Sequence, residues 1–293
     1  MIVRGHESVL VQGITGRQAS YWSERMMEYG TRIVGGVNPK KAGIEHLGLP
    51  VWGSATDAAK DQDTPIDCAC VIVPPPGVKS SVLDALEAGI KKIVILTEHV
   101  PVHDVMYFLS AAREAGASVV GPNTAGIATP GECFVGFMPA FNERVFKPGH
   151  VGVISRSGSL GTLVCLNMVQ AGFGISAFIG IGGDPVIGTT ARDALQCLDE
   201  DATTHAVALI GEIGGGMEEE AADYARTMSK PVVSFMAGAA SPPGKKMGHA
   251  GAIVSGGKGT AQGKMDALEA AGVSVGRNPT EAGSLMVDVV RDL

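Results

Sequence analysis

Over its first 120 or so residues the chain alternates short apolar, β-branched runs with amphipathic stretches of helical period. Ser8–Gln12 (SVLVQ), Arg32–Val34, Cys68–Val73 (CACVIV), Lys92–Leu96 (KIVIL) and Ser118–Val120 read as strands. Gln18–Tyr29 and Lys79–Ala88 read as helices between them. Continuous apolar runs suit strands covered on both faces, so this half predicts a parallel sheet flanked by helices. From Gly121 to Gly149 the periodicity fades into Pro- and Gly-rich sequence, which reads as a connection. A second alternation follows, with strands at Val151–Ile154, Ser176–Ile179, Ala206–Ile210 and Pro231–Phe235. Its helices are expected at Leu160–Gln170, Ala191–Cys197, Glu218–Thr227 and Gly263–Ala271. The expected fold class is therefore α/β: two doubly wound domains, over residues 1–122 and 149–293, joined by a connection over 123–148.

Composition narrows this picture. The 293 residues are 45% hydrophobic and 18% charged, as in a soluble globular protein. A net charge of −7 argues against general nucleic-acid binding, which needs a basic face. Five cysteines form no disulfide framework, and Cys68 and Cys70 lie inside an apolar run, so reduced, packed thiols are expected rather than a zinc site. No apolar run reaches the length of a membrane span, no metal site is expected, and the cytoplasm is the expected compartment.

Several of the 41 glycines stand in clusters, as expected where backbone must approach a ligand closely. Strand Ser8–Gln12 runs into Gly13-Ile14-Thr15-Gly16-Arg17-Gln18 and then a helix, a turn whose backbone N–H groups favour phosphate. The second strand ends in Gly35-Gly36-Val37-Asn38-Pro39-Lys40-Lys41, with two lysines where a nicotinamide dinucleotide site wants a carboxylate. That favours a ligand carrying additional phosphate, such as coenzyme A, over NAD. Val73-Pro74-Pro75-Pro76 and Leu96-Thr97-Glu98 also fall at strand carboxyl ends and should line the same crevice. Equally, the prolines could only end a strand and Glu98 only begin a helix.

In the second half, Ser155-Arg156-Ser157-Gly158-Ser159 opens a helix and reads either as N-capping or as a transient phosphoryl site. Gly180-Ile181-Gly182-Gly183-Asp184-Pro185 and Gly211-Glu212-Ile213-Gly214-Gly215 each place one carboxylate in a strand-end glycine loop. Lys245-Lys246-Met247-Gly248-His249-Ala250-Gly251 sets a histidine among glycines, which keep an imidazole accessible. Imidazole is a nucleophile near neutral pH, and a carboxylate on one ring nitrogen orients the other. Glu212 is the candidate for that partner, provided the strand-end loops converge.

Together these motifs resemble the α subunit of succinyl-CoA synthetase, in the ADP- or GDP-forming acyl-CoA synthetase superfamily. The resemblance spans nearly the whole chain and rests on GITGRQ (13–18), GGVNPKKAG (35–43), LGLPV (47–51), LTE (96–98), GPNTAG (121–126), SRSGSL (155–160), GIGGDP (180–185), GEIGG (211–215) and GKKMGHAGAI (244–253). It implies a Rossmann-like CoA-binding domain followed by a flavodoxin-like ligase domain. It also implies a phosphohistidine at His249 with Glu212 as its partner, and CoA contacts at Thr15, Gly16, Arg17, Gln18, Lys41, Pro75, Leu96, Thr97 and Glu98. Ser157 and Gly158 would hold phosphate, and Asn123 and Thr162 would face the carboxylate substrate. The implied reaction passes a phosphoryl group from NTP through histidine to the acid, and CoA then displaces phosphate from the acyl phosphate. ATP or GTP with Mg²⁺ would sit on an ATP-grasp β subunit, in an αβ or α₂β₂ assembly. Thr162 stands where the family has a tyrosine, and Gly136–Lys147 is longer than the family's connection. Succinate is the default acid, with malate, citrate or a sulfonated acid as alternatives. A non-catalytic CoA-binding regulator is the alternative of another class.

Overall fold

A computed structural model describes residues 1–241, 248–254 and 259–290. The motif residues 244–247 lie outside the described residues.

The first sheet carries strands β1 (Ser8–Gln12), β2 (Arg32–Val37), β3 (Glu45–His46), β4 (Leu49–Trp52), β5 (Cys68–Val71), β6 (Lys92–Ile95) and β7 (Ser118–Val120). Its order is β3-β4-β2-β1-β5-β6-β7, parallel throughout except for the β3–β4 hairpin. Helices α1 (Arg17–Tyr29), α2 (Ala55–Asp61), α3 (Val78–Glu87) and α4 (Val102–Glu114) pack around it. β1 and β5 are buried at every position, which is why their sequences are apolar without alternation. The chain reverses its winding direction between β1 and β5, and at such a switch point the crevice opens at the carboxyl ends of the strands.

The second sheet holds β8 (Gly126–Thr129), β9 (Cys133–Gly136), β10 (Pro148–Ser155), β11 (Ile175–Gly180), β12 (Ala206–Glu212), β13 (Val232–Ala237) and β14 (Ser274–Gly276). Its order is β14-β13-β12-β10-β11-β8-β9, with a parallel body and an antiparallel β8–β9 edge. Helices α5 (Gly158–Gln170), α6 (Ala191–Glu200), α7 (Met217–Ala225), α8 (Ala261–Ala270) and α9 (Glu281–Val290) cover it. Here the switch point lies between β10 and β12, so the loop after Ser155 and the loop after Glu212 border one crevice.

The stretch read as a connection, residues 123–148, is not irregular throughout. It forms β8 and β9, and every residue of both strands is buried. β8 pairs with β11, while Phe134 of β9 packs on Tyr29 of α1 and exchanges hydrogen bonds with Thr31. The hairpin thus belongs to the second sheet and seals it against the first domain. Burial on both sides removes the period-2 signal that would have revealed it. The strand at Cys68–Val73 is also shorter than expected, ending at Val71 before the prolines.

Candidate active site

Gly13 opens the first turn at φ +90, and a Cβ added there would lie 2.2 Å from the Ile72 carbonyl oxygen. Only glycine allows β1 to pass so close to the chain leaving β5. Gly16 caps α1 without a side-chain acceptor, so no capping side chain occupies the N–H groups of the first turn. Asn38 donates its amide to Thr15 Oγ1 at 2.6 Å and so joins the ends of β1 and β2. Around these loops lies a cavity of about 720 Å³, bordered by Thr15, Gly16, Lys40, Lys41, Pro74 and Ser80. It combines a helix N-terminus with two ammonium groups, an arrangement suited to a phosphorylated ligand.

A second cavity of about 590 Å³ adjoins the first, with Ile72 in the wall of both. Gln18, Pro75, Leu96, Thr97, Glu98 and Asn123 border it from the first domain and the crossover, and Gly158 and His249 from the second. Glu98 begins no helix: α4 starts at Val102, leaving residues 96–101 as a loop against this cavity. Thr97 Oγ1 donates to the Val73 carbonyl at 2.7 Å, and Asn123, held at φ +57, donates to Asp184 Oδ1 at 2.8 Å. His249 also borders a third cavity of about 360 Å³, beside Ser157, Glu212 and Ser241. The imidazole therefore stands in the wall between two spaces, one of which leads on to the glycine turn of the first domain.

The expected partner is in place. His249 Nδ1 lies 2.7 Å from Glu212 Oε2, and because a carboxylate only accepts, Nδ1 carries the proton and Nε2 keeps its lone pair. The ring is half-buried, and the Glu212 hydrogen bond raises its pKa above the ordinary histidine value. Desolvation and the Arg156 charge oppose that rise, and Asp184 adds to it. The other Glu212 oxygen faces buried Arg156, whose Nε is 3.3 Å from Oε1, an ion pair whose geometry falls short of a hydrogen bond. Gly183 leaves room for the ring, since a Cβ there would lie 2.5 Å from His249 Cγ.

Ser157 is the N-cap of α5, accepting from the Leu160 N–H at 3.4 Å, and Ser155 Oγ braces it by donating to the Ser157 carbonyl at 2.6 Å. The α5 N-terminus thereby opens beside His249, with Gly158 on one side of the ring and Ser157 on the other. Two of the expected residues border none of these three cavities. Arg17 is exposed and borders none of these cavities. Thr162 also borders none of them, and its hydroxyl turns back on its own helix to the Gly158 carbonyl at 2.8 Å. Phe137 does border the larger His249 cavity, and sequence reasoning passed over it as part of a long connection. Arg156 and Asp184, from the serine-rich helix start and a strand-end glycine loop, both act on the His249 ring.

Two family models match the chain, a CoA binding domain over residues 5–99 and a CoA-ligase over residues 154–274. They correspond to the two sheets and to the two sets of loops that meet at His249, and together they define a CoA-binding subunit of an acid–thiol ligase. The chain is 47% identical to the succinate–CoA ligase [ADP-forming] subunit alpha 2 of Archaeoglobus fulgidus, covering 99% of both. It is 46% identical to an ADP-forming sulfoacetate-CoA ligase subunit of Bilophila wadsworthia, over 95% of both. Among solved structures, ATP citrate lyase of Methanosaeta concilii in complex with (3S)-citryl-CoA superposes with a TM-score of 0.89 at 25% identity. The match covers 100% of this chain and 51% of that one. The chain belongs to the family of ADP-forming succinate–CoA ligase alpha subunits.

Proposed function

We propose that this chain supplies the CoA site and the phosphorylated histidine of a two-subunit ligase that joins a short carboxylic acid to CoA at the expense of an NTP. The observation that carries the reading is the position of His249. Its Nδ1 is fixed by Glu212, and its ring borders a cavity that shares the Ile72 wall with the cavity at the glycine turn, which suits a phosphorylated ligand.

Nε2 of His249 attacks the terminal phosphorus of ATP or GTP, and the nucleoside diphosphate leaves. Glu212 stabilises the positive charge that develops on the ring. The α5 N-terminus, at Ser157 and Gly158, offers fixed positive potential to the transferred group. The phosphoryl group then passes to the acid carboxylate, giving an acyl phosphate and restoring the imidazole. The CoA thiolate attacks the acyl carbon and releases phosphate. CoA lies along the 720 Å³ cavity, with its phosphates toward Lys41, Thr15 and Gly16 and its thiol end toward Pro75, Leu96–Glu98 and Gln18. A partner β subunit of the ATP-grasp type holds the nucleotide and Mg²⁺, in an αβ or α₂β₂ complex. Residues 1–122 form the CoA domain and 149–293 the ligase domain, whose sheet the β8–β9 hairpin extends.

Succinate is the default acid. A sulfonated acid is the second reading, favoured by the 46% identity to a sulfoacetate-CoA ligase subunit. The test is a coupled assay of the reconstituted complex against succinate, malate, citrate and sulfoacetate, following acyl-CoA and ADP or GDP. Formation of one acyl-CoA with stoichiometric NDP supports the reading; CoA binding without any acyl-CoA from the panel favours a regulatory protein instead.

Glu212→Gln separates catalysis from binding. A charged hydrogen bond contributes about 1.5–3 kcal/mol, so the plateau phosphorylation rate is expected to fall on the order of 10- to 100-fold. Protonated imidazole cannot attack, so the rate rises as pH climbs through the raised His249 pKa. Removing the Glu212 charge lowers that pKa, and the acid limb should therefore move to lower pH while the plateau drops. CoA affinity should stay nearly unchanged; its collapse in an equilibrium titration would contradict the placement of Glu212.

A further inference from the structure

Behind Glu212 lies a charged cluster for which the reaction above has no use. Lys264 of α8 is fully buried, as is Glu218 of α7. The Lys264 ammonium has three protons and meets three acceptors: the Glu212 carbonyl at 2.9 Å, the Gly214 carbonyl at 2.7 Å and the Glu218 carboxylate. The other Glu218 oxygen accepts the Glu212 N–H at 3.3 Å. Both backbone polar groups of Glu212 are thus held by one buried ion pair. Two glycines make room for this arrangement. A Cβ at Gly211 would lie 2.7 Å from Glu218 Cγ, and Gly214 at φ +94 turns its carbonyl inward. Arg156 joins the cluster from the β10 side, 3.8 Å from Glu218 Oε1 and 3.3 Å from Glu212 Oε1.

A buried ammonium and a buried carboxylate are costly to desolvate and are commonly no better for stability than apolar residues of similar volume. Apart from the bond to the Gly214 carbonyl and the one between the pair, their hydrogen bonds converge on one residue, the one that orients the histidine. We infer that Lys264 and Glu218 are positioning residues: they lock the backbone of Glu212 so that its carboxylate stays aimed at His249 Nδ1. The inference rests on the phosphohistidine reading for its consequence in the reaction, though not for the geometry it predicts.

The test uses Lys264→Met in the full chain, labelled with ¹⁵N-histidine. Among the described residues, the charged groups facing His249 are Glu212, Arg156 and Asp184. Removal of a nearby buried cation would, through charge alone, raise the imidazole pKa. Loss of the Glu212 hydrogen bond acts the other way. The expected result is a fall in the His249 pKa, with the neutral ring shifting from the Nδ1–H toward the Nε2–H tautomer. An unchanged or raised pKa with the wild-type tautomer overturns the inference. In the complex with its partner subunit and labelled NTP, the variant's phosphorylation rate should drop about tenfold, the rate equivalent of a misaimed charged hydrogen bond. CoA affinity should be retained. Should Lys264→Met not fold, Glu218→Gln keeps the side-chain volume, and the tautomer ratio alone decides. Failure of the wild-type complex to phosphorylate would refute the phosphohistidine reading, whereas tautomer and titration need no turnover and judge the positioning role separately.

Discussion

Replacing His249 with asparagine is expected to abolish acid-labile phosphate incorporation from γ-labelled NTP and to reduce acyl-CoA synthesis by about 10⁴-fold or more, the scale seen when an obligatory nucleophile is removed. Asparagine keeps a hydrogen-bonding group near Glu212 Oε2 but has no lone pair able to form a phosphoramidate. The ring lies in a loop, half-buried, outside the three apolar clusters that hold the sheets together. Stability and CoA affinity should therefore change little. A normal thermal transition and normal CoA titration, together with loss of label, would isolate the chemical step. Label that persists in the variant would place the phosphoryl group on another residue and end the proposal.

The second large effect is expected at the glycine turn. In Gly13→Ala the new Cβ would lie 2.2 Å from the Ile72 carbonyl oxygen and 3.0 Å from Val73 Cγ1, on backbone held at φ +90. The dihedral alone costs about 1–3 kcal/mol, and the overlap must push apart the ends of β1 and β5, where the crevice forms. CoA affinity should fall by about 100-fold or more and the melting temperature by roughly 5 °C. Gly89→Ala is the control. It carries a similar dihedral, φ +83, with no atom within 4 Å of the new Cβ. It should lose stability through the dihedral alone and bind CoA as wild type does. Equal affinity losses in both variants would mean that general destabilisation, and not the turn, controls binding.

Much of the architecture was legible because its signals are local. β1, β6 and β12 are continuous apolar runs, and α1 and α6 carry clear helical amphipathicity, so tandem α/β domains follow from period and length. Elements without a contrast of faces were harder to read. β8 and β9 are buried on both sides and flanked by Gly and Pro. β4 contains Pro50, and the two-residue β3 turns through Leu47 and Gly48 at positive φ, so neither resembles a strand in sequence. Thr162 drew attention through a family tyrosine, yet its hydroxyl is satisfied within its own helix. Phe137, which does border the His249 cavity, had no local pattern to mark it.

By itself the sequence determined the two α/β units, the glycine turns at strand ends and a histidine set among glycines, because backbone conformation and hydrophobic period are properties of neighbouring residues. Only the tertiary structure decided which of those turns meet. Glu212 and His249 are 37 positions apart, and Asn123 reaches Asp184 across 61. Arg156, Glu218 and Lys264 come from β10–α5, α7 and α8. Such pairings follow from strand order, which sets the loops that border a common crevice, and strand order is chosen by the packing of whole layers rather than by any short stretch of chain.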